Sequence, residues 1–210
     1  MAEPPAPRRM TPPADAVIVV VMTEDRRIEG YAIVSIEGMI ANAAGVMPDV
    51  IRNSADQKFL QSELDRAAVI VHGRHSDEGG LRAAQRKRLI LTRHVASLSS
   101  DPARPNALLW NPAGASLDAA LARLGIANGL VAILGGTEVF DLFLPLYDTF
   151  YLTRATHAKI PNGRPVFSQV GPHKTPEDVL AGAGLKPGIR RDLDPAAGIT
   201  LSTWSRERAK

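Results

Sequence analysis

Residues 131–154, VAILGGTEVFDLFLPLYDTFYLTR, decide the fold of this chain. Val131, Ala132, Ile133 and Leu134 run on without a polar residue, the pattern of a strand buried on both faces. Gly135 and Gly136 follow at once, and without a Cβ the backbone there can approach a ligand closely. Thr137 is placed to cap a helix with Glu138 in its first turn and Val139, Phe140, Leu142 and Phe143 on one side. Pro145 limits that helix, and FYLTRA reads as the next strand. Strand, diglycine, short helix, strand is the order of a nucleotide cradle, in which N–H groups at the helix start face a phosphate.

Composition sets the outer limits. The 210 residues suit one domain with a substantial core, and 45% hydrophobic with 22% charged residues is a globular balance. The net charge of +3 is small, and the basic residues sit in local clusters, Arg86-Lys87-Arg88 and Arg190-Arg191. That distribution points to small polyanions as partners rather than to nucleic acid. The absence of cysteine excludes disulfides, thiolate nucleophiles and thiolate metal sites, and it accords with a cytoplasmic protein. No apolar run reaches the ~18 residues of a membrane helix. The Pro- and Arg-rich opening, residues 1–15, reads as a flexible arm, and residues 16–210 read as a single domain.

Strands and helices alternate along that domain. AVIVVVM (16–22) and YAIVSIE (31–37) are the first strands, separated by the polar turn TEDRRIEG. A loop with glycines and Pro48 follows, and Ser54 is placed to cap a helix whose buried side carries Phe59, Leu60 and Leu64. AAVIVHG, RLILTR and ALLW are further strands, and SLDAALARLGI is an amphipathic helix stopped by Gly125. Residues 157–187 read as irregular, and GIRRDLD with ITLSTWSR as a closing hairpin turned at PAAG. The expected fold is α/β: a central, mostly parallel sheet with an antiparallel C-terminal edge and flanking helices.

IVSIEGMIA, MPDVIRNSADQKF, AVIVHGRHS, RKRLILTR, ILGGTEVFDLFLPLYDTFYLTRA and ITLSTWSRER occur in an order that resembles the dihydrofolate reductase superfamily. The resemblance runs from about residue 31 to the end and is most specific in the second half. It takes in two branches, dihydrofolate reductases and the reductase domain of the riboflavin-pathway deaminase-reductase. It implies a dihydrofolate reductase-like fold and hydride transfer from NADPH to a nitrogen heterocycle or an opened sugar attached to one. S-x-E-G-x-I-A and LDRAAVIVHGR are as similar to the riboflavin branch, whereas GGTEVF and FLPLYDTFYLTRA favour the folate branch.

The resemblance carries over residue by residue. It places Asp56 as the carboxylate that orients the heterocycle and favours its protonated form, with Thr153 as its hydroxyl partner. An ordinary first-turn Asp, favoured by the helix dipole, is the other reading of Asp56. Gly73, Arg74, His75 and Ser76 match the turn that holds the cofactor's phosphates, although Arg74 and His75 also suit a solvated loop. Leu91, Thr92 and Arg93 match the grip on the 2′-phosphate that distinguishes NADPH from NADH. Gly135, Gly136, Thr137 and Glu138 close the pyrophosphate and nicotinamide side. Ile33 would present backbone groups to the nicotinamide, or is a core residue. Met47, Asp49, Leu60 and Leu134 are expected to line the substrate, and Arg86 to grip its tail or to lie in a solvated turn.

Three features depart from the folate pattern. Met47-Pro48 is followed by Asp49 where that branch has a Trp, which weakens the case for folate and puts a second carboxylate near Asp56. Two like charges there would raise one pKa. Asp77-Glu78-Gly79-Gly80 makes a poor helix after the GRHS turn, and the Arg86 cluster is ambiguous. The five histidines lack the spacing of a zinc site. The expected activity is NADPH-dependent reduction of dihydrofolate or a similar pterin by a monomer or homodimer, with residues 39–49 as a lid. The alternatives are a riboflavin-pathway reductase acting on a ribosylamino-pyrimidine phosphate, and a non-catalytic NADP-binding module.

Overall fold

The computed structural model describes residues 26–76 and 82–207. The expected strand over 16–22, the arm over 1–15 and the segment 77–81 lie outside the described residues. In chain order the elements are β1 (Arg26–Val34), β2 (Met39–Ala41), α1 (Ser54–Leu64), β3 (Ala67–Gly73), β4 (Arg88–Leu91), β5 (Leu98–Ser100) and β6 (Ala107–Trp110). There follow α2 (Leu117–Arg123), β7 (Gly129–Ile133), α3 (Thr137–Phe143), β8 (Thr149–Ala155), β9 (Arg164–Pro165), α4 (Pro176–Gly182), β10 (Lys186–Asp194) and β11 (Ile199–Ser205).

Among the described residues, nine strands form one sheet in the order β10-β11-β8-β1-β7-β3-β4-β6-β5. The six strands from β8 to β6 run parallel, while β11 and β10 at one edge and β5 at the other are antiparallel. The antiparallel C-terminal edge is as the sequence suggests; the second antiparallel edge is additional. A short connection, residues 101–106, returns the chain beside β5 and allows only a hairpin.

Four local expectations are corrected. β1 begins inside the supposed polar turn, because its charged side chains find partners: the Arg26 guanidinium donates to Asp118, and the Tyr31 hydroxyl to Glu29 at 2.6 Å. Asn53 rather than Ser54 caps α1, its side-chain oxygen accepting from the N–H groups of Ala55 and Asp56. Gly136 rather than Thr137 caps α3, because the Thr137 hydroxyl donates to the Pro165 carbonyl. The stretch expected to be irregular contains α4, opened by a capping box between Thr175 and Asp178 with Pro176 in its first turn.

Alternation along β1 sends its side chains to two cores. Ile28 and Val34 join Val69, Val71 and Ile133 beneath α2, α3 and α4, which supply Leu117, Leu121, Val139, Phe140, Phe143, Val179 and Leu180. Tyr31 faces the other way with Ile70 and Ala132, beneath Leu64 of α1. The crossover from β1 to β3 therefore lies on one face, and that from β7 to β8 on the other. Since β1 and β7 are neighbours, their carboxyl ends form a switch point, where open parallel sheets leave a crevice for ligands.

Candidate active site

The crevice is visible in the strand registers. β1 pairs with β7 only as far as Gly30 opposite Ile133, but with β8 as far as Val34 opposite Arg154. Among the described residues, 31–34, including Ile33, thus have a ladder on one side only. On the far wall β7 stays joined to β3: the Leu134 N–H donates to the Val71 carbonyl at 2.9 Å and the Gly73 N–H to the Gly135 carbonyl at 2.7 Å. The two glycine turns picked out in the sequence are held side by side.

Asp56 and Thr153 meet on the α1 face of this crevice. Thr153 is buried and lies opposite Ile33 in the β1–β8 register. Burial pushes the Asp56 carboxyl above the usual carboxylate range, and the hydroxyl that Thr153 donates to it partly offsets this. Asp49 contributes nothing to the shift: its carboxylate is 98% exposed and pairs with Arg52 at 3.1 Å. The expected like-charge pair is not formed. Asn53, besides capping α1, donates to Asp194 at 2.9 Å, so the end of β10 positions the helix turn that carries Asp56.

Leu60 and Leu134 are half-buried and pack on the Tyr31, Leu64, Ile70 and Ala132 cluster, as do Phe59 and Tyr151. The Tyr31 and Tyr151 rings stack at 5.0 Å. This aromatic floor had no signal in the sequence beyond two tyrosines on separate strands. Met47 packs elsewhere, on Ile51, Ala155, Ala158, Ile160 and Ile199. Arg86 is placed at the other end of α1, its side chain 9% exposed, donating to Asp65 at 2.7 Å and Gln61 at 3.0 Å. It is a partnered, covered residue rather than part of a solvated turn.

The phosphate-binding candidates gather at the carboxyl ends of β3, β4 and β7. Arg74 donates from Nε to His75 at 2.9 Å and also contacts His94, a residue that sequence reasoning did not select. The Ser76 N–H closes the turn on the Gly73 carbonyl at 2.9 Å. Leu91 ends β4, the Thr92 hydroxyl accepts from the His94 N–H, and Arg93 lies 3.7 Å from Glu138 in an exposed ion pair. Gly135 has φ +85°, and a Cβ there would lie 2.3 Å from the Phe140 ring, so only glycine fits. At Gly136 a Cβ would meet only Ile40, at 3.9 Å. That space beside the diglycine, together with the one-sided stretch of β1 and the exposed guanidinium groups, fits a phosphorylated dinucleotide.

The loop expected to be a lid is tied at its base. β2 pairs with β9, the Ser35 N–H donates to the Met39 carbonyl at 2.9 Å, and Arg164 donates to the Ala43 carbonyl. In the S-x-E-G element, the Ser35 hydroxyl donates to Glu37 at 2.7 Å, and Arg154 ties the same turn to Glu177. Those residues build the turn rather than the pocket. Among the described residues no cluster of three His, Asp or Glu side chains could hold a metal ion, and no helix is long and apolar enough to cross a membrane.

No family model matches the chain, and no curated protein matches it. Solved structures do. A structure described as a riboflavin biosynthesis protein from Shewanella sp. PV-4 is 18% identical with a TM-score of 0.60, and the match covers 87% of this chain and 99% of that one. A diaminohydroxyphosphoribosylaminopyrimidine deaminase/5-amino-6-(5-phosphoribosylamino)uracil reductase from Thermotoga maritima is 17% identical with a TM-score of 0.60, over 87% of this chain and 57% of its own length. Dihydrofolate reductase from Enterococcus faecalis, complexed with NADP(H) and RAB-propyl, is 19% identical with a TM-score of 0.55, over 87% and 97%. The chain has a dihydrofolate reductase-like fold.

Proposed function

We propose that the chain is an NADPH-dependent reductase that transfers hydride to a pterin such as dihydrofolate or to the opened sugar of a ribosylamino-pyrimidine. The observation that carries this reading is the half-buried Asp56, hydrogen-bonded by the buried Thr153, at the mouth of a crevice open on one side of β1. NADPH, when bound, supplies the hydride. The chain's own residues do the rest. Gly73 and Gly136 admit the pyrophosphate, Arg74, Ser76 and Thr92 contact phosphate oxygens, and Arg93 reads the 2′-phosphate. Ile33 offers backbone groups to the nicotinamide. Asp56 hydrogen-bonds the heterocycle and, with its proton favoured by burial, supports protonation at the nitrogen of the C=N bond whose carbon takes the hydride, while Thr153 fixes the carboxyl's orientation. Leu60 and Leu134 exclude water from the ring faces.

Two observations favour the ribosylamino-pyrimidine phosphate over dihydrofolate. Asp49 is exposed where the folate branch has a Trp, and Arg86, the candidate for a carboxylate tail, already holds Asp65. Consumption of NADPH with each compound separates the two readings. Turnover with either supports reductase activity and identifies its branch. NADPH binding with no turnover on either compound would leave a non-catalytic nucleotide-binding module and overturn the proposal.

A further inference from the structure

The turn between β10 and β11, residues 194–198, is tied to two segments far from it in sequence. Asp194 offers one carboxylate oxygen to the Asn53 side-chain N–H at 2.9 Å and the other to the Ala197 N–H at 3.1 Å. The Asn53 carbonyl oxygen accepts in turn from the N–H groups of Ala55 at 2.8 Å and Asp56 at 3.3 Å. On its other flank, the Gly198 carbonyl accepts from the Thr156 N–H at 3.0 Å and from the Thr156 hydroxyl at 2.9 Å. Thr156 directly follows β8, the strand that carries Thr153, and Leu193 packs on the cluster of Ile51, Ala155 and Ile199. One turn therefore holds both the helix start that bears Asp56 and the strand that bears its hydroxyl partner.

We infer that Asp194 is a positioning residue for Asp56: through Asn53 it fixes the amide that caps α1 and so keeps the Asp56 carboxyl against the Thr153 hydroxyl. What Asp56 does rests on the reductase reading; how it is held rests on these hydrogen bonds. An amide can present either its NH2 or its carbonyl, whereas an ionised carboxylate only accepts. Asp194 thus draws the Asn53 NH2 towards itself and leaves the carbonyl oxygen to the helix. The Asn53 and Ala197 N–H groups hold the Asp194 carboxyl below the usual carboxylate range, which keeps it an acceptor. Its influence runs through geometry, since the raised Asp56 carboxyl answers to burial and to Thr153. Asp194→Asn is nearly isosteric yet cannot replace it. With its carbonyl on Ala197, its NH2 turns the Asn53 amide round and away from capping; with its carbonyl on Asn53, its NH2 meets the Ala197 N–H. The reciprocal exchange, Asn53→Asp with Asp194→Asn, satisfies every group, because a carboxylate then caps α1 and accepts from the new amide, whose carbonyl serves Ala197.

The test follows the Asp56 carboxyl by NMR titration of the ligand-free, full-length chain, with circular dichroism confirming that each variant is folded. The Thr153 hydroxyl lowers that carboxyl, so Asp194→Asn is expected to move its pKa up, as Thr153→Val does. It is expected to add little once Thr153→Val is in place, because the contact it protects is already gone. Turnover of Asp194→Asn is expected to fall roughly 10- to 100-fold with NADPH affinity unchanged. Asn53→Asp alone sets two carboxylates face to face and is equally impaired, whereas the reciprocal exchange recovers most of the turnover. An Asp56 titration unmoved by Asp194→Asn overturns the positioning role. So does a shift that adds in full to that of Thr153→Val, or a reciprocal exchange no more active than Asp194→Asn. A wild-type chain that binds NADPH and reduces neither compound overturns the reductase reading instead, and the titration still decides how Asp56 is held.

Discussion

Asp56 shows how one carboxyl is tuned by its neighbours. Its folded-state pKa is raised, so the native state holds more protons than the unfolded chain between the two values. Stability from this group is present below the unfolded value of ~3.9 and is lost as pH rises through the folded one. Asp56→Asn removes that penalty and keeps an acceptor for Thr153. The variant is expected to lose turnover while binding NADPH normally, with a melting temperature at neutral pH equal to or above that of the wild type and a flatter pH profile. Retained turnover would remove Asp56 from the mechanism, and a large fall in melting temperature would make it structural.

At Gly135 and Gly136 two adjacent glycines are expected to behave differently. Gly135→Ala drives a Cβ into the Phe140 ring at a left-handed backbone position, and a loss of about 2 kcal/mol is expected from overpacking. Gly136→Ala meets only Ile40 and fills part of the space proposed for the cofactor. Its NADPH affinity is expected to fall about tenfold, about 1.4 kcal/mol, as titration calorimetry would read. Unchanged affinity would place the pyrophosphate elsewhere.

Among the elements, α4 illustrates a signal that is local and easily missed. Pro176 and a Gly-rich setting suggest a break, yet Thr175-Pro-Glu-Asp178 is the start of a helix. Thr175→Ala is expected to cost about 1 kcal/mol in chemical denaturation and to leave NADPH consumption unchanged. The strand, diglycine, helix and strand of residues 131–154 lie close to where the sequence places them, because an uninterrupted apolar run and a one-sided helix leave few alternatives. β1 was harder to read. Its Arg26, Arg27 and Glu29 resemble a turn until Asp118 and Tyr31, distant in sequence or alternating on the strand, are seen to satisfy the buried charges.

For the whole molecule, the arrangement of three turns proposed to face phosphate at neighbouring strand ends predicts a preference between cofactors. NADPH at a hundred times its Kd is expected to stabilise the chain by about 2.7 kcal/mol, and NADH at the same concentration by much less. Arg93→Ala is expected to narrow that difference in melting temperature without altering the unliganded value, because its exposed pair with Glu138 contributes little stability. Equal stabilisation by the two cofactors would count against the 2′-phosphate assignment.

The sequence by itself determined the α/β alternation and the diglycine turn, because periodicity and glycine chemistry are local properties, and it offered Asp56 and Thr153 as a candidate pair only through the family resemblance. Tertiary structure decided what lay far apart in the chain. It turned Asp49 to solvent, closed Arg86 onto Asp65, brought His94 to Arg74, and opened the crevice where β1 parts from β7. These outcomes follow from which strand lies beside which and which face each crossover takes, and no local pattern of residues encodes either.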